Sequence, residues 1–245
     1  MRTRLQVIQD IVDAVQTKVY LEIGVEEGVV FYRVKAPKKI AVDPQFLFQG
    51  RSKLRKNRLV NSLFYGNHEY FYEQTSNDFF KHHKQQFTTE KVDVALIDGL
   101  HTYAQVYIDI MNVLDILSPN GVMIIDDCNP PSAVVETPVV DSITEVWEKA
   151  KKGELAGWTG RWTGDVWKAL VRLQSERNDL NIVTLDADYG MAVIVKGENK
   201  NNLGFTLAEI DKLTYSDLDT NRAKWLNLKD SDYLDEILPL LNKAK

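Results

Sequence analysis

The chain has 245 residues, 44% of them hydrophobic and 27% charged, with a formal net charge of −5. That balance suits a globular protein with its own core and excludes a disordered or fibrous chain; the negative charge disfavours nucleic acid or anionic membrane as partner. The one cysteine, Cys128, cannot form an internal disulfide, which fits a reducing compartment and leads us to expect a cytoplasmic location.

The chain opens on MRTRLQVIQDIVDAVQ. Leu5, Ile8, Ile11, Val12 and Val15 follow helical spacing, and Asp10 and Asp13 interrupt any apolar run, so the segment reads as an amphipathic helix and not a signal peptide. Short apolar strands follow at 18–23, 39–43, 69–73, 92–98, 122–126, 181–185 and 191–195. Several are apolar almost throughout, as strands covered on both faces are. The clearest helix lies between the fourth and fifth strands, over Tyr103–Leu117, with Val106, Ile110, Val113, Leu114 and Leu117 on one stripe and Ser118-Pro119-Asn120-Gly121 as its stop. Alternation of strand and helix predicts a doubly wound α/β fold with a mostly parallel, seven-stranded sheet. The last two strands are too close in sequence for a parallel crossover, so they should form a terminal antiparallel hairpin.

Two regions exceed a minimal sheet. Residues 128–179 form a long insertion carrying Trp147, Trp158, Trp162 and Trp167, and residues 199–245 read as polar turns with two short helices. The expected division is therefore a ligand-binding domain over 1–198, including the N-terminal helix and the insertion, and a C-terminal helical extension over 199–245. The basic run Arg51–Arg58 reads as a solvated face or as a patch that meets an acidic substrate.

Ligand chemistry concentrates at the strand ends. Tyr20-Leu21-Glu22-Ile23-Gly24-Val25-Glu26-Glu27-Gly28 puts a glycine-containing turn directly after a buried strand, where backbone can approach a ligand and a helix N-terminus can face it. Asp43 ends the next strand and can accept both hydroxyls of a ribose; alone it reads equally as a cap or surface acid. Asp98 ends the fourth strand, where open α/β sheets bind ligands, and Asp126 and Asp127 end the fifth. Carboxylates gathered there repel unless a proton or cation intervenes, and oxygen-rich clusters suit Mg²⁺ or another divalent cation; the alternative is that these acids cap turns. His101 is placed to act as a general base or to hold a helix start by a hydrogen bond. Cys128, beside acids that oppose a thiolate, reads as packing. Trp147 and Trp167 lie on helical stripes and read as packing too. Trp158 and Trp162 are more open, and Arg161 or Lys168 could pair with an acidic group.

In the segments YLEIGVEEG, KKIAVDP, YFYEQTSNDFF, VDVALIDGLHTYAQVYIDI, LSPNGVMIIDDCNPP and GDVWKAL, in this order, the chain resembles class I S-adenosylmethionine-dependent methyltransferases, in the bacterial branch of macrocin-type sugar O-methyltransferases. The resemblance implies a Rossmann-like methyltransferase fold, S-adenosylmethionine as cofactor, and a small acceptor such as a sugar or glycoside. It implies that Glu22, Gly24 and Gly28 form the turn at the methionine end, that Asp43 holds the ribose, that Gln74 and Ser76 lie near the adenine, and that Asp98 sits between cofactor and acceptor. In metal-dependent relatives the ligands map to Asp98, Asp126 and Asp127. The chain departs from the common GxGxG turn by Glu26 at the middle glycine. On this reading His101 or Asp98 removes the acceptor proton. Two other readings are open: a nicotinamide-dependent dehydrogenase, which shares the glycine turn and strand-end acid, and a non-catalytic module that binds the cofactor. Leu5, Ile8, Leu234 and Leu238 would pack on their own domain or serve a homo-oligomer contact.

Overall fold

The computed structural model describes residues 2–50, 53, 56, 68–139 and 143–242. Most of the basic run Arg51–Arg58 lies outside the described residues. The strands are β1 Val19–Ile23, β2 Lys38–Asp43, β3 His68–Glu73, β4 Val92–Ile97, β5 Leu117–Ile125, β6 Leu180–Asp186, β7 Met191–Lys196 and β8 Leu228–Asp230. They are ordered β3-β2-β1-β4-β5-β7-β6-β8 in one sheet. The expected seven strands are eight. The extra one, β8, runs parallel to β6, with Thr184 opposite Leu228 and Asp186 opposite Asp230. It is three residues long and its Lys229 and Asp230 are exposed, so it has no apolar alternation to read in sequence; charged, short edges of this kind resist further pairing. The predicted hairpin is present: β6 and β7 pair antiparallel, from Leu180 opposite Lys196 to Leu185 opposite Met191.

By contacts the chain divides into two units. One comprises Arg2–Gly99, Asp109–Ile124 and the segment from Asp232; the other comprises Leu100–Ile108 and Ile125–Ser231.

In the first unit β1 pairs in parallel with β2 on one side and β4 on the other, and β3 extends the sheet beyond β2. Strand order reverses between β1 and β4, which makes their carboxyl ends the switch point where doubly wound sheets hold ligands. Every side chain of β1 is buried, and β2 is buried after its first residue. Helix α1 (Arg4–Val15) buries Val7, Ile8, Ile11 and Val12 and starts with a capping box between Thr3 and Gln6. It packs on helix α9 (Leu234–Asn242), where Leu234 is fully buried. Arg2 strengthens that join with ion pairs to Asp232 at 3.4 Å and Asp235 at 2.5 Å.

In the second unit helix α6 (Trp167–Glu176) lies against β6 and the short helix α7 (Leu207–Ile210), and helix α8 (Tyr215–Trp225) packs on β8 and on the short helix α4 (Ala133–Glu136). Trp167 is fully buried, as its helical position implies, but Trp147 is 42% exposed. Trp147 belongs to helix α5 (Ile143–Lys151) and meets only the edge of Trp158 among the ring contacts of the described residues, at 5.6 Å. An apolar position on a helical stripe does not by itself ensure cover. No helix among the described residues is long and apolar enough to cross a membrane.

Candidate functional site

The turn after β1 is built by backbone demands. Gly24 has φ +82°, and a Cβ there would overlap the backbone of Asp98. Its N–H donates to the Val42 carbonyl at 2.9 Å, while the Asp98 N–H donates to the Ile23 carbonyl at 2.8 Å. The glycine is therefore required where the ends of β1 and β4 meet. Glu26 takes φ +47°, the left-handed region that a glycine enters at least cost. Glu26 holds this conformation without the residue that makes it cheap.

Asp43 stabilises that turn. Its Oδ2 accepts the N–H groups of Val25 at 2.7 Å and Glu26 at 2.8 Å, and its Oδ1 accepts that of Gln45 at 2.8 Å. A carboxylate offers about four acceptor positions, so three are engaged within the chain. Gln74 follows β3, and its N–H donates to the Asp43 carbonyl at 2.9 Å. Its side-chain Nε2 is buried with no hydrogen-bond partner among the described residues. A buried donor left without a partner is costly, and a ligand acceptor at this strand end would satisfy it. Ser76 begins helix α2 (Ser76–His83), whose N-cap is Thr75.

Glu22 is 1% exposed and accepts the Tyr20 hydroxyl at 2.7 Å. Burial raises its carboxyl to about 8, against smaller opposing effects of the Tyr20 hydrogen bond and Arg4. Arg4 is the residue that sequence reasoning missed. It lies in the first turn of α1, where a cation opposes the helix dipole, and its guanidinium pairs with the Asp98 carboxylate. That placement marks Arg4 as unusual in its helix but does not name its partner.

Gly28, also in the first unit, has φ +75° and donates its N–H to the Val25 carbonyl at 2.7 Å; Asp126, Asp127 and His101 lie in the second unit. Asp126 is 3% exposed, and its Oδ1 accepts the Asp127 N–H at 3.0 Å. Asp127 has φ +60° and places Oδ2 3.0 Å from His101 Nδ1. His101 does not begin a helix; it has φ +53° in the turn before helix α3 (Tyr103–Ile116). The loop after Asp127 is gripped by the β6–β7 turn: the Cys128 N–H donates to the Gly190 carbonyl at 2.9 Å, and a Cβ on Gly190 would overlap Asn129. Arg222 of α8 adds bonds to Asn129 Oδ1 at 2.5 Å and the Pro130 carbonyl at 2.8 Å. Cys128 is fully buried, and its thiol is pushed up chiefly by burial, with Asp126 and Asp127 adding to it. It packs, as expected. Lys168 is buried beside Trp167, and Arg161 lies over the Tyr189 ring at 5.9 Å.

Three expected metal ligands are thus engaged within the chain: Asp98 by Arg4, Asp126 by a backbone N–H, and Asp127 by His101. The like-charge problem posed by Asp98 is met by a guanidinium. Asp127 and His101 offer an oxygen and a nitrogen donor of types that divalent cations accept.

A family model described as a methyltransferase domain matches residues 21–128, the span from β1 through the acidic pair. The fold is that of a methyltransferase. A candidate caffeoyl-CoA O-methyltransferase from Staphylococcus aureus superposes with a TM-score of 0.53 at 16% identity, over 80% of this chain and 84% of that one. A candidate O-methyltransferase from Klebsiella pneumoniae gives 0.52 at 12% identity, over 79% and 80%. Cofactor-bound Rv0187 from MTB gives 0.50 at 12%, over 81% and 83%. No curated protein matches the chain in sequence. At these identities the likeness concerns the methyltransferase fold alone.

Proposed function

We propose that this chain is an S-adenosylmethionine-dependent O-methyltransferase acting on a small hydroxylated acceptor, with a sugar or glycoside as the class its sequence resemblance suggests. The observation that carries the reading is the turn between β1 and β2. It combines a required glycine, a buried Glu22 and an Asp43 that fixes the loop, and the matched family model spans it. The unpartnered Gln74 Nε2 supports an adenine at the end of β3. The two solved structures named as O-methyltransferases support oxygen as the acceptor atom.

S-adenosylmethionine, when bound, supplies an activated methyl group. The chain then has to hold an acceptor oxygen in line at about 3 Å and remove its proton. Asp127 facing Nδ1 fixes the imidazole of His101 and leaves Nε2 to take the proton. Asp98, held by Arg4, serves as a fixed carboxylate rather than as the base. In a metal-assisted variant Asp126 and Asp127 would hold the ion, which would lower the acceptor's pKa.

Calorimetric titration with S-adenosylhomocysteine, with and without Mg²⁺ and with NAD⁺ as control, tests the proposal. Binding of S-adenosylhomocysteine alone is expected. Preference for NAD⁺, or no binding of S-adenosylhomocysteine, overturns it.

A further inference from the structure

A base must be held still, and His101 sits in a turn with a left-handed backbone. The insertion supplies what meets it. The Trp162 indole lies 5.6 Å from the imidazole, ring centre to ring centre, with planes 30° apart. Gly164, at φ +61°, lies so close that a Cβ would overlap the His101 carbonyl oxygen. Asp165 Oδ1 accepts the Tyr103 N–H at 2.7 Å and so caps the helix that follows His101. The segment is itself anchored. The Trp162 Nε1–H donates to the Thr137 carbonyl at 2.8 Å, and the fully buried Thr163 donates its N–H to the Val135 carbonyl at 3.0 Å.

We propose that Trp162–Asp165 is a positioning strap for His101, in which Trp162 sets the plane of the imidazole and Gly164 permits the close approach. Asp127 orients Nδ1 from one side, and the indole limits rotation of the ring. The long segment after β5 thereby has a role in the reaction beyond covering the sheet. The consequence for turnover rests on the reading of His101 as the base; the positioning itself does not. Sites of this kind fail by small losses of orientation, so the strap acts on rate more than on cofactor affinity.

Carbethoxylation by diethyl pyrocarbonate at fixed pH, read residue by residue by peptide mass spectrometry, tests the strap without needing the acceptor. The exposed His68 and His82 serve as internal references. Trp162→Ala and Gly164→Ala should raise the relative labelling rate of His101 by about threefold or more, the scale of one aromatic contact. Trp162→Phe, which keeps a ring, should restore nearly the wild-type rate. Labelling of His101 at the wild-type rate in both the Trp162→Ala and Gly164→Ala proteins overturns the proposal. If Gly164→Ala does not fold, the comparison of Trp162→Ala with Trp162→Phe decides alone. Absence of S-adenosylhomocysteine binding to the wild type would sink the methyl-transfer reading while leaving the labelling result to judge the strap.

Discussion

His101 and Glu22 carry the sharpest consequences of single side chains. Removing the imidazole in His101→Ala should lower turnover at least ~10-fold and leave S-adenosylhomocysteine affinity intact; equal turnover by radiolabelled methyl transfer would remove His101 from the chemistry. Glu22 bears on stability. Its carboxyl is raised by burial from 4.5 to about 8, so between those values the folded state holds a proton that the unfolded state has released. Stability contributed at this site is full at low pH and is lost as pH rises through the folded value. Glu22→Gln cannot ionise, so its melting temperature relative to wild type should climb from about pH 5 to pH 8. A constant difference would show that Glu22 is not held protonated. The glycines and strand-end acids were legible because strand patterns fix where a strand ends. Arg4 was not: its partner Asp98 is 94 residues away, and local pattern carries no information on such a pairing.

Strand β8 shows what element-level reading misses. Its entry depends on Asn227, which has φ +46° and donates its Nδ2–H to the Ile182 carbonyl at 2.9 Å. Asn227→Ala loses the hydrogen bond and adopts a left-handed backbone poorly, a loss of about 1–2 kcal/mol and a fall in melting temperature of roughly 2–6 °C. Asn227→Gly keeps the backbone and should lose less; the reverse order in a thermal melt would show that the turn is not held this way. The hairpin β6–β7 and helix α1 were predictable from spacing and periodicity, because both depend on neighbours in sequence. Burial of Trp167 but exposure of Trp147 was not, since both sit on apolar stripes and only packing decides which stripe is covered.

For the whole molecule, binding and folding are linked. A ligand that binds only the folded chain, present at about 100 times its dissociation constant, adds about 2.7 kcal/mol. S-adenosylhomocysteine should therefore raise the melting temperature by roughly 5–10 °C, with no shift from NAD⁺. A shift from NAD⁺ alone would bring the dehydrogenase reading forward. The sequence by itself determined the α/β class, the terminal hairpin, and the placement of Gly24, Asp43 and Asp98 at strand ends, because these follow from hydrophobic period, turn residues and connection length. Only the tertiary structure decided that a guanidinium meets Asp98, that an eighth strand pairs with β6, and that Trp162 faces His101. Each of those is a meeting of side chains or backbone far apart in sequence, selected by packing and by the need to pair buried charge and hydrogen-bonding groups, which no local pattern encodes.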